Sequence, residues 1–64
     1  MELTAGEKIR NARKQAKLTQ EQLAIKYRIP IRTLSDWERN KFAPPDYVLS
    51  LLLDRIALDH PENK

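Results

Sequence analysis

Two capping boxes punctuate the first third of this chain. Thr4-Ala5-Gly6-Glu7 and Thr19-Gln20-Glu21-Gln22 each set a hydroxyl at a helix N-cap with a Glu or Gln three positions on. In that arrangement each side chain satisfies the other residue's exposed backbone donor. The second box obliges the first helix to end by Leu18-Thr19, so the helices are short and tightly joined. Pro30, with its dihedral preset and no backbone donor, suits the start of a third helix, and Pro44-Pro45 excludes helix just before a fourth. No strand-like alternation and no internal repeat disturbs this pattern. It predicts an all-α fold: a compact four-helix domain over residues 1–58, then a polar tail over 59–64 that adds at most a frayed fifth turn.

A chain of 64 residues closes a single small core. With no cysteine and one histidine, His60, neither a disulfide framework nor a metal site is expected to reinforce it, and helix packing must suffice. Twelve Lys and Arg against nine Asp and Glu leave a charge of +3, a bias that suits a polyanion without requiring one. Met1-Glu2-Leu3-Thr4 lacks the basic and apolar regions of a signal peptide, and no apolar run approaches the roughly 18 residues of a membrane span. The expectation is a soluble, cytoplasmic protein with no membrane partner.

Helical periodicity sorts the side chains. From Ala5, the first helix gathers Ala5, Ile9, Ala12 and Ala16 on one face, with Arg13 among them. The second, about Gln20 to Tyr27, turns Leu23, Ala24 and Tyr27 inward and leaves Ile25 outside. The third covers Ile31 to Arg39. With Leu34 at zero, Trp37 and Glu38 lie within about 60° and Ile31 at the edge of that sector. Arg32, Ser35, Asp36 and Arg39 fill an arc of about 100° on the far side. Asn40 suits a left-handed stop, and the fourth helix should run from Pro45 or Asp46 to about Leu58.

Two charges stand out on apolar faces, Arg13 and Glu38. An unpaired buried charge is very costly, so the economical arrangement is that they meet and join the first helix to the third; the alternative is that one snorkels to solvent. On the outer arc, Arg32 and Arg39 flank Ser35 and Asp36. Arg can bond guanine O6 and N7, Asp can accept from cytosine N4, and Ser can serve either. The same arc also suits a merely solvated face in which Arg32 and Asp36 pair four residues apart. What favours a binding surface is the spacing of Gln20, Leu23, Ala24, Tyr27, Ile29, Leu34 and Trp37, which clamps two short helices around a tight turn. That is a helix-turn-helix arrangement, with its second helix presented to a DNA major groove.

The run LTQEQLAIKYRIPIRTLSDWERNKFAPP, Leu18 to Pro45, closely resembles the XRE family of helix-turn-helix regulators, which includes the phage repressor and Cro proteins. The resemblance implies a repressor-like DNA-binding domain whose partner is double-stranded DNA. It implies that Gln20, at the start of the second helix, grips a phosphate with help from that helix's positive end. Ile31, Arg32, Ser35 and Asp36 match base-facing positions of the recognition helix, with Arg32 foremost and Ile31 set against a thymine methyl. Arg39 and Lys41 match the loop region that holds the DNA backbone, and Arg13 and Glu38 match the family's structural ion pair.

Three departures from the family pattern bear on the fold. Arg28 stands where a glycine is usual in the turn, Pro30 replaces a side-chain cap, and no counterpart is expected here for the fifth helix common in phage repressors, which often helps dimerisation. The fourth helix offers a replacement surface for self-association. Leu49, Leu52, Leu53 and Ile56 suffice for the core stripe of the fourth helix, which leaves Tyr47, Leu51 and Leu58 over. Those three either form a homodimer or partner face, or pack under the proline loop and over the open end of the core.

Catalysis is not expected. Ser35 and Ser50 have no adjacent histidine, and a single glycine, Gly6, cannot make a phosphate-cradling loop. No cofactor, metal or small-molecule ligand is implied. The sequence points to a DNA-binding transcriptional regulator, a repressor that inserts helix 31–39 in the major groove. The alternative is a protein-interaction module on the same scaffold, an antitoxin or anti-regulator, that binds its partner through the fourth helix.

Overall fold

The computed structural model describes residues 3–60. It contains four helices: α1 Ala5–Gln15, α2 Gln20–Tyr27, α3 Ile31–Glu38 and α4 Asp46–Asp59. Both capping boxes form. The Thr4 amide donates to Glu7 Oε1 at 2.9 Å and receives the Glu7 amide on its hydroxyl at 3.2 Å; Thr19 and Gln22 repeat the exchange at 2.9 and 3.1 Å. At the starts of α3 and α4, Pro30 and Pro45 take the cap position with no side-chain hydrogen bond.

The first three helices stop in the same way. Leu18 N bonds Arg13 O while Lys17 N bonds Lys14 O; Ile29 and Arg28 treat α2 likewise, and Lys41 and Asn40 treat α3 likewise. This paired closure requires a left-handed residue at its hinge, and Lys17, Arg28 and Asn40 hold φ of 61°, 57° and 62°. Arg28 thus takes the glycine-like conformation of the turn with a full side chain. Because Asn40 turns the chain there, α3 ends at Glu38 with Arg39 as its cap, one residue earlier than periodicity suggests. At the other end of the molecule α4 runs one residue past Leu58, to Asp59. Met1, Glu2 and the tail beyond His60 lie outside the described residues.

The core gathers Ile9 and Ala16 around Leu23 and Ala24 of α2, Leu34 of α3, and Leu52 and Ile56 of α4. Ala12, Leu18, Tyr27, Ile29, Trp37 and Leu49 are half-buried around it. Helix α1 is central, packing against both α3 and α4, while α2 packs on α3. The crossing of α1 over the end of α3 is close enough to admit only glycine. A Cβ at Gly6 would overlap the Trp37 carbonyl oxygen and lie 2.7 Å from Asn40 Oδ1. Tyr27 reaches across from α2 to α4, where its hydroxyl donates to Asp59 Oδ2 at 2.7 Å.

Candidate nucleic-acid interface

The N-cap at Thr19 makes Gln20 the first residue of α2, and the turn through Arg28 and Pro30 then launches α3 beside it. Between the two, and bounded by the loop after α3, lies an open depression of about 560 Å³. Gln20, Ile31, Arg32, Ser35, Asp36, Arg39 and Lys41 line it. The structure therefore brings together on one surface all seven side chains named from the sequence as DNA-facing.

Three cations and one acid share that surface. Asp36 is held by Arg39, whose Nη2 donates to its Oδ1 at 3.2 Å, three residues on. The pairing considered for a solvated face, Arg32 with Asp36, is not the one that forms: among the described residues no ion pair engages Arg32. The acid thus neutralises a cation at the rim of the depression and leaves the Arg32 guanidinium unclaimed. Ile31, 48 % exposed, gives the depression an apolar edge.

Behind the depression stands a buried ionic cluster. Arg13 Nε donates to Glu38 Oε2 at 2.9 Å and Arg13 Nη2 to Glu38 Oε1 at 3.0 Å, a two-pronged pairing that fixes the carboxylate plane. Arg13 Nη1 also caps the carbonyl of Leu18 at 3.1 Å. Glu38 is 1 % exposed, yet no buried side-chain polar atom among the described residues lacks a partner. Two members of this cluster escape sequence reasoning. Arg10 donates Nη2 to the Glu38 carbonyl at 2.7 Å, and Gln20 donates Nε2 to Glu38 Oε1 at 3.3 Å. Arg10 could have been suspected, because it sits three residues before Arg13 and so on the same side of α1. Gln20 carried no such signal.

On the far helix, Tyr47, Leu51 and Leu58 are 70, 65 and 74 % exposed. Within the single chain Tyr47 does not pack under the proline loop, where Pro44 itself is buried, and Leu58 does not cover the end of the core. That alternative is corrected: the three side chains are exposed on one side of α4, with Asp54 between Leu51 and Leu58. No described helix is long and apolar enough to cross a membrane, and no described group of His, Asp and Glu side chains is placed to hold a metal ion.

A helix-turn-helix family model matches residues 9–63. Neither a curated protein nor a solved structure matches the chain.

Proposed function

The chain belongs to the XRE family of helix-turn-helix proteins, which are DNA-binding regulators and not a catalytic family, and from that premise we propose that it is a sequence-specific repressor acting through α3. The observation that carries this is the shared depression, which gathers Arg32, engaged by no ion pair among the described residues, with Ile31, Ser35 and Asp36 and the polar and cationic side chains of Gln20, Arg39 and Lys41. With α3 in the major groove, Ile31, Arg32, Ser35 and Asp36 face base edges, and Gln20, Arg39 and Lys41 face phosphates on either side. Phosphate contacts supply most of the affinity and make it strongly salt-dependent. Repression then follows from occupancy alone, since DNA held by this surface is closed to another protein.

A homodimer through Tyr47, Leu51 and Leu58 completes the proposal. A patch on one helix face pairs with its own copy about a two-fold axis, and two recognition helices about one DNA turn apart read a two-fold-related operator. The exposure of the same three residues also favours a second reading, an antitoxin or anti-regulator that uses this face for a different protein.

Selection of bound duplexes from a random pool separates these readings. A two-fold-symmetric site is expected for the wild-type chain. Arg32→Ala should cost about 1–3 kcal/mol on the selected site and relax preference at one base pair, whereas Lys41→Ala should weaken all sequences alike and lower the salt slope by about one. An unchanged preference with Arg32→Ala removes its base-reading role. No duplex binding even at low salt removes DNA as the partner of this surface.

A further inference from the structure

Among the seven side chains of the depression, Gln20 alone comes from α2, and it alone is tied to the buried cluster. The Glu38 carboxylate only accepts hydrogen bonds, so the nitrogen of the Gln20 carboxamide, and not its oxygen, must face it. One N–H is thereby engaged at 3.3 Å, and the second, in the same amide plane, has no partner among the described residues, while Gln20 itself lines the depression. The carboxylate cannot swing to release it. Arg13 grips both oxygens, at 2.9 and 3.0 Å, and Arg10 Nε stands 3.8 Å from the same Oε1.

We propose that Glu38 is a positioning residue for nucleic-acid contact: anchored by Arg13, it holds the Gln20 carboxamide so that its free N–H meets a DNA phosphate oxygen at the start of α2. A glutamine in solvent samples many rotamers and surrenders them on binding, whereas one already held surrenders fewer. The ion pair that ties α1 to α3 thus also sets the geometry of a contact on α2. This inference rests on the depression being the DNA surface, as proposed above.

A double-mutant cycle tests it. Removing Glu38 alone would confound the result, because loss of an anion near the interface raises attraction for phosphates in general. The background is therefore Arg13→Met with Glu38→Leu, which removes one charge of each sign, leaves the net charge unchanged and exchanges the pair for apolar side chains of similar size. Binding to a random-sequence duplex at low salt is compared for the wild type, Gln20→Ala, the apolar-pair variant and the combined variant. Gln20→Ala is expected to weaken the wild type several-fold and the apolar-pair variant hardly at all.

The same loss in both backgrounds overturns the positioning role and leaves the DNA reading intact. No loss on Gln20→Ala in the wild type removes the phosphate contact and this inference with it, and a wild type that binds no duplex brings down the functional reading itself. Should the apolar-pair variant fail to fold, the side-chain amide of Gln20 in the wild-type protein decides: its protons are expected to exchange with water more slowly than those of Gln15, and equal exchange overturns the proposal.

Discussion

A carboxylate that is 1 % exposed at the end of α3 is tolerable only because its partners are fixed in advance. Glu38→Ala leaves Arg13, whose side chain is 15 % exposed, without its counter-charge, and should destabilise the fold by about 3–5 kcal/mol in denaturant unfolding. A loss no larger than that of a surface substitution would show the pair to be solvated instead. Angles alone put Arg13 and Glu38 on apolar faces, and their guanidinium and carboxylate do meet. The same angles could not give the attachments of Arg10 and Gln20, because periodicity says which way a side chain points along its own helix and nothing about what another helix brings to it. Asp36 makes the point most sharply. Both Arg32 and Arg39 are within helical reach of it, and periodicity does not decide between them; it takes Arg39.

Element by element, the helix starts were legible because each has a local chemical cause: two capping boxes and two prolines. Helix ends were less legible: α1 closes at Gln15, ahead of Leu18-Thr19, because Lys17 turns left-handed with no glycine to announce it. Helix α3 stops one residue before the expected Arg39, at the Asn40 stop, and α4 runs one residue further, to Asp59, whose hydrogen bond comes from another helix. Arg13 and Glu38 foretell that α1 meets α3, but the closeness of that crossing at Gly6 was not legible. Gly6 reads as a weak point near a helix start, where alanine normally gains about 1 kcal/mol, yet here a methyl group would strike the Trp37 carbonyl. Gly6→Ala should therefore lower stability by about 1–3 kcal/mol, reversing the propensity gain. A higher melting temperature in that variant would show that the two helices can part without loss.

For the molecule as a whole, the Tyr27 to Asp59 hydrogen bond ties the end of α2 to the last turn of α4. Burial and then the bond to Asp59 push the Tyr27 phenol from its ordinary 10.0 up to about 12. A raised folded-state value means that the contribution is complete below about pH 10 and is lost as pH climbs through about 12. Asp59 is held below its ordinary value, chiefly by the same hydrogen bond, so its share is present above that ordinary value and lost in acid. Alkaline absorbance titration should show a late phenol ionisation near 12 that is missing in Tyr27→Phe. If both proteins lack it, the tether is not formed in solution. The three helix junctions carry a different consequence. Asn40 suits its left-handed conformation, but Lys17 and Arg28 each bear a Cβ in one that costs an ordinary residue roughly 1–2 kcal/mol, while the chain's one glycine sits elsewhere. Arg28→Gly should raise stability by about 0.5–1 kcal/mol, read as a higher unfolding midpoint. None of the three lines the depression. A lineage carrying this domain therefore has thermal headroom in its joints, and relaxing one of them first would let α3 accept a disruptive substitution on its depression-facing side and still fold.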